Sequence, residues 1–151
     1  MFEFLLILHV IAAIVAVGPV TVAASMFPPV LRRARAEPGA GEHLAVLRVL
    51  HRICRVYAAV GIAVPVLGVA TALSLGVLGD GWLIVSMALT GAAAAVLVVL
   101  LPRQEEAIAA VGAVGGGGAG AGLAALTGVF NLLWAVVTAL MIIRPGSTTG
   151  G

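Results

Sequence analysis

The sequence has no lysine, a single cysteine and little charge: only 9% of its 151 residues are charged. A soluble domain carries about 25% charged residues, so this composition excludes an ordinary water-soluble protein. A single cysteine, Cys54, excludes a disulfide within the chain and is predicted to be a small packing residue. Hydrophobic residues make up 62% of the chain, which indicates a membrane protein.

Four apolar blocks are long enough to cross a bilayer, whose hydrocarbon core of about 30 Å takes roughly 20 helical residues. They lack the alternation of apolar and polar residues typical of membrane barrels, so each is predicted to be a helix. The predicted fold is an all-α, four-transmembrane-helix bundle in one domain, residues 1–145, with a disordered tail, residues 146–151. The predicted spans are about 2–27, 53–77, 82–101 and 123–143.

Arginine predicts the orientation of this bundle. Six of the eight arginines lie between the first two spans or just inside the second. Short loops rich in arginine stay in the cytoplasm, so the first connection is predicted inside and both termini outside. The second connection, Gly79–Gly81, has no basic residue, as expected of an outer loop. Arg144, at the outer end of the last span, is the one arginine on the predicted outer side.

The second helix is predicted to start before its apolar block, at about Gly41, and to run along the interface into the bilayer. Arg48, Arg52 and Arg55 recur at intervals of four and three residues, which places them on one helical face. There they are predicted to reach anionic lipid headgroups. The alternative is a docking face for an acidic partner.

Proline and glycine positions predict helix kinks, a flexible linker and sites of close helix packing. Pro19 and Pro65 lie within spans and each leaves a carbonyl without its helical donor, so both predict kinks, with a mobile hinge as the alternative. Residues 107–122 are small and glycine-rich, which predicts a flexible linker. Small residues spaced four apart, such as Gly68 and Ala72, favour close helix packing in lipid.

His9 is an ionisable side chain inside the first apolar block. Helical rise places it about 30 Å in depth from His51, too far for both to ligate one metal ion or haem within a chain. We consider three roles: a neutral imidazole bonded by a neighbouring helix, a ligand or proton-handling group, and a lipid-interface residue. Asn131 and Trp134 are predicted to serve interhelical packing and hydrogen bonding.

Counting the other helices to the depth of His9 predicts a weakly polar pocket, unless the hydroxyl groups bond their own backbone instead. Its predicted members are Thr71, Ser74, Ser86, Met87, Thr90, Thr138 and Met141.

Sets of residues that support catalysis are missing from the sequence. It has no His-Glu-x-x-His motif, no Ser-His-Asp set and no second metal ligand at a suitable spacing. No Asp or Glu lies in the membrane interior, as a carboxylate relay of a proton pump would require. These absences favour a non-enzymatic protein, and no nucleic-acid partner is predicted.

The motif Leu8-His9-Val10, followed by Ala16-Val17-Gly18 and the arginine-rich Leu31–Arg35, resembles the start of several bacterial membrane-protein families. The chain resembles a group of predicted four-helix integral membrane proteins known only as a domain of unknown function. Its first helix is similar to that of copper-resistance D type proteins and haem-pathway membrane oxidases. That similarity implies a haem or copper role for His9.

Three functional hypotheses follow. The first is a small multi-pass protein of the bacterial plasma membrane that acts as a non-enzymatic accessory or assembly subunit, alone as a homo-oligomer or with other membrane proteins. The second is a haem- or copper-binding redox or transport protein that uses His9. The third is a small-solute transporter that works as a dimer, because four helices enclose little lumen.

Overall fold

The described part of the chain contains five α-helices, and four of its segments are long and apolar enough to cross a membrane. The computed structural model describes residues 1–37, 39, 41–115, 118 and 120–146, and no strand occurs among them. The predicted all-α, four-helix fold is therefore confirmed. The helices are α1 (Phe2–Ala36), α2 (Gly41–Val60), α3 (Ala63–Leu75), α4 (Gly81–Ala109) and α5 (Leu123–Ile143), with α2 and α3 sharing one crossing.

Most of each apolar segment faces outward. Only 17–22% of the most apolar window of each segment is buried inside the protein, although these windows are strongly hydrophobic. Exposed side chains such as Val22, Val66 and Leu132 cover the outer surface. Such a surface is stable in lipid and not in water, so the chain is a multi-pass membrane protein that contacts the bilayer.

Helix α1 continues past the predicted end of the first span at Phe27, through Pro28 and Pro29, to Ala36. Each proline removes one N–H donor, yet the helix persists because the following residues pack against α2. Leu31 and Ala34 are buried there with Leu47. Burial of this apolar stripe offsets the lost backbone bonds.

The second crossing begins at Gly41, as its amphipathic pattern predicts, and is interrupted at Gly61 and Ile62. The interruption confirms the irregularity predicted from Pro65, which cannot donate to the Gly61 carbonyl. That carbonyl instead accepts a hydrogen bond from the N–H of Val64 at 3.1 Å. The crossing ends at Gly76, whose φ of 69° is readily available to glycine.

Helix α4 extends past the predicted end at residue 101, through Pro102, to Ala109, and α5 matches the predicted range 123–143. The predicted flexible linker therefore starts too early. Its far end is also packed: a Cβ at Gly120, where φ is 84°, would lie 2.8 Å from Leu31 Cδ2. Of the tail predicted to be disordered, residues 147–151 lie outside the described residues.

We call the end of the bundle where α1 stops and α2 starts the basic end, and the end with Phe2 and Arg144 the terminal end. The main core lies towards the basic end, where Phe27, Leu47 and Leu100 are fully buried. There α1, α2, α4 and α5 all meet. Towards the terminal end, α3 packs on α1 and α4 packs on α5, while α3 has no extensive contact with α4 or α5.

Candidate functional site

A cavity of about 820 Å³ lies in the terminal half of the bundle, between the pair α1–α3 and the pair α4–α5. It exists because these two pairs separate where the core ends. Its lining on α5 runs from Trp134 to Arg144, ten residues or about 15 Å of helix. The cavity is therefore about as deep as one leaflet of a hydrocarbon core that is about 30 Å thick.

His9 lies on the wall of this cavity and is only 6% exposed. Its Nδ1 is 2.8 Å from the Val64 carbonyl oxygen on α3. A carbonyl only accepts hydrogen bonds, so Nδ1 carries the proton and Nε2 carries the lone pair. His9 is thus bonded by a neighbouring helix, as one of its three predicted roles requires, while Nε2 can still accept a proton or bind a metal ion.

Gly68 makes this position of the imidazole possible. A Cβ at residue 68 would lie 2.9 Å from His9 Cε1 and 3.3 Å from His9 Nδ1. Because glycine has no side chain, the ring packs directly on the backbone of α3. The small residues predicted to mediate close packing therefore accommodate an imidazole here.

The predicted pocket is only partly reproduced. Five of its seven predicted side chains, Thr71, Met87, Thr90, Thr138 and Met141, line the cavity, whereas Ser74 and Ser86 do not. The threonine hydroxyls form hydrogen bonds within their own helices. Thr71, Thr90 and Thr138 each donate to the carbonyl four residues earlier at 2.8 Å. The walls are consequently more apolar than the sequence suggests.

Two residues of α5 were predicted to make interhelical contacts. Asn131 Nδ2 donates to Ser25 Oγ of α1 at 3.3 Å, which confirms that prediction for Asn131. Trp134 lines the cavity and packs edge-on against Phe130, with 6.3 Å between ring centroids. Among the described residues, the buried indole N–H of Trp134 has no hydrogen-bond acceptor. The N–H is therefore an unsatisfied buried donor next to the cavity.

Trp82 and Arg144 line the cavity at the terminal end. The guanidinium carbon of Arg144 lies 5.7 Å from the centroid of the Trp82 ring, within cation–π range. The indole N–H of Trp82 donates to Asp80 Oδ2 at 3.1 Å. Trp82 therefore connects the α3–α4 turn to the end of α5.

At the basic end, Arg48, Arg52 and Arg55 are all exposed on α2, as their spacing predicts. Their contact with lipid headgroups stays a prediction. His43 Nε2 lies 3.8 Å from Glu37 Oε2, across the connection between α1 and α2.

A buried polar cluster at the basic end was not predicted. Gln104 Oε1 accepts from His51 Nδ1 at 3.1 Å, and Gln104 Nε2 lies 3.8 Å from Cys54 Sγ. Gln104 and Cys54 are fully buried. Because the third span was predicted to end before Pro102, Gln104 was assigned to a loop. Its spacing from Leu100 and Ala107, however, is that of one helical face, and this signal could have identified it as buried.

His9 and His51 contact different neighbours, and 13 residues of the second crossing, about 20 Å of helix, separate His51 from Val64. No group of three or more His, Cys, Asp or Glu side chains among the described residues could hold a metal ion.

No family model, curated protein or solved structure matches the chain.

Proposed function

We propose that this protein is a non-enzymatic, membrane-embedded binding protein that holds a lipid-soluble molecule in the cavity between its two helix pairs. The cavity carries this proposal. Its volume of about 820 Å³ falls within the roughly 300–1,000 Å³ of ligand sites, which are mostly apolar with a few placed polar groups. His9 supplies an acceptor on its wall, and Arg144 supplies a cation at its terminal end.

Such a binding protein would act as an accessory or assembly subunit, either in a homo-oligomer or with another membrane protein. Little of the chain lies outside its helices, so partners would meet it mainly within the bilayer. The arginines at the basic end support an orientation with that end in the cytoplasm. We infer from this arginine bias that the protein lies in the bacterial plasma membrane.

A haem or copper centre on His9 is the second candidate function. The bond from Nδ1–H to the Val64 carbonyl favours it, because such a bond orients the ring and leaves Nε2 available as a ligand. The rest of the ligand set would have to come from the bound group, another chain or a solvent molecule. Metal analysis and an absorption spectrum of the purified protein, with His9→Ala as the control, test this candidate.

A small-solute transporter that works as a dimer is the third candidate, and no contact in the structure favours it over the other two. Crosslinking in native membranes tests the dimer that it requires.

Identification of co-purified molecules tests the leading proposal. The protein is extracted with surrounding lipid into nanodiscs, and native mass spectrometry records any bound molecule. Gly91 lines the cavity and has nothing within 4 Å of a Cβ position, so Gly91→Phe would place a ring in the cavity. We expect Gly91→Phe to lose the bound molecule.

Gly128→Phe is the matched control, because Gly128 is equally open but does not line the cavity. It is expected to keep the bound molecule. A wild-type protein that carries no molecule beyond bulk lipid, or equal binding by Gly91→Phe and wild type, would overturn the proposal.

A further inference from the structure

Arg144 lines the terminal end of the cavity and has an unfavourable backbone conformation. It ends α5 with φ 45° and ψ 60°, and it is the one residue other than glycine with positive φ in the described part of the chain. Its N–H bonds the Leu140 carbonyl at 2.9 Å, which closes the helix. A side chain at such a position costs about 1 kcal/mol or more relative to glycine, and strain of this kind concentrates at functional sites.

Among the described residues, no Asp or Glu oxygen lies within 4.0 Å of the Arg144 guanidinium. Asp80, in the turn before Trp82, accepts the indole N–H of Trp82 and does not line the cavity. The half-buried guanidinium therefore presents N–H donors beside an apolar space.

The geometry points to an anionic amphiphile with a single apolar chain, of the fatty-acid type, as the molecule held in the cavity. Its carboxylate would bind Arg144, and its chain would run along the apolar walls towards His9 and Trp134. This inference rests on the proposed function.

Three observations favour this class. A planar guanidinium pairs with a carboxylate through two parallel hydrogen bonds. The depth of about 15 Å from Arg144 to Trp134 matches one leaflet, so a chain in the cavity would lie parallel to the surrounding lipid chains. The volume suits a molecule of drug size, which is smaller than a phospholipid with two chains.

Electron paramagnetic resonance of chain-labelled probes tests the inference. The protein is placed in nanodiscs of phosphatidylcholine at a pH at which the free acid is ionised. Three nitroxide probes are compared: stearic acid, its uncharged methyl ester and phosphatidic acid. The immobilised fraction of each probe reports its association with the protein.

We expect wild type to prefer the acid over the ester by at least about fivefold, as a charge-assisted contact predicts. Arg144→Gln should bring this preference close to one, and Arg144→Lys should keep part of it. Arg144→Gly should also abolish the preference while relieving the backbone, so its folding is not at risk. Arg32→Gln, an exposed arginine of α1 outside the face of Arg48, Arg52 and Arg55, is the matched control and should change nothing.

The outcomes separate this inference from the proposed function. Equal immobilisation of acid and ester, sensitive to Gly91→Phe but not to Arg144→Gln, would overturn the inference and leave the proposed function standing. A preference for phosphatidic acid over stearic acid would overturn the inference that the ligand has a single apolar chain. If Gly91→Phe reduces the immobilisation of none of the three probes, both the inference and the proposed function are overturned.

Discussion

The imidazole of His9 occupies the space that a side chain at residue 68 would need: a Cβ there would lie 2.9 Å from His9 Cε1. The same ring donates to the Val64 carbonyl at 2.8 Å. Contact and hydrogen bond together join α1 to α3 at the wall of the cavity. Several predictions about stability depend on pairs of this kind.

Gly68→Ala should destabilise the protein, because its methyl group would force His9 away from Val64. Overpacking typically costs about 1–3 kcal/mol, to which the lost hydrogen bond adds. Thermal unfolding in detergent measures the effect. Gly91→Ala, at an open position, is the matched control and should be neutral or slightly stabilising. If His9→Ala fails to relieve the cost of Gly68→Ala in the double variant, the contact is not the cause.

Gln104→Leu should destabilise the basic end while nearly keeping the volume of the side chain. The substitution leaves the buried Nδ1–H of His51 without an acceptor, at a cost of about 1–3 kcal/mol. Unfolding of Gln104→Leu, His51→Leu and the double variant gives the coupling between the two residues. We expect the double variant to lose less than the sum of the single ones, and simple additivity would contradict the bond.

Thr127 compensates for a proline on another helix. Pro28 cannot donate to the Ala24 carbonyl of α1, and the hydroxyl of Thr127 on α5 donates to that oxygen at 3.4 Å. Thr127→Val should therefore destabilise the protein by roughly 0.5–1 kcal/mol.

The matched background for this test is Pro28→Ala, in which a backbone N–H becomes available to the Ala24 carbonyl. There, Thr127→Val should cost less than in wild type. An equal cost in both backgrounds would show that Thr127 acts through packing alone.

Labelling of introduced cysteines tests the predicted orientation. Gly79→Cys in the α3–α4 turn should react with a membrane-impermeant maleimide on intact cells, whereas Glu42→Cys near the basic end should react only after permeabilisation. Wild type is the control, because Cys54 is fully buried and should stay unlabelled. The reverse pattern would place the arginines outside and invalidate the predicted topology.

The sequence predicts irregular helices less well than apolar ones. Pro65 correctly marks the interruption at Gly61, because its ring blocks a bond inside its own helix. Pro28 and Pro102 do not end their helices, and at Pro28 the Thr127 hydroxyl donates to the carbonyl that the proline cannot reach. A local rule fails where a distant residue such as Leu47 or Thr127 supplies the compensation.

The contacts of small residues are also hard to predict from sequence, because they too depend on residues of other helices. Gly68 lies under an imidazole, but Gly91 and Gly128 have nothing within 4 Å of a Cβ position. Spacing alone places each of them on a helical face. Which face meets another helix depends on how the helices rotate and tilt in the bundle.

The sequence by itself determined the membrane environment, the helical fold and the number of crossings, because these follow from apolar length along one chain segment. Counting helical rise from His9 also identified five of the seven side chains predicted to line a pocket with it, namely Thr71, Met87, Thr90, Thr138 and Met141. Only the tertiary structure decided that the helix pairs separate around a cavity and that Gln104 joins His51. These features depend on helix rotation and on contacts between residues far apart in sequence, which no local pattern encodes.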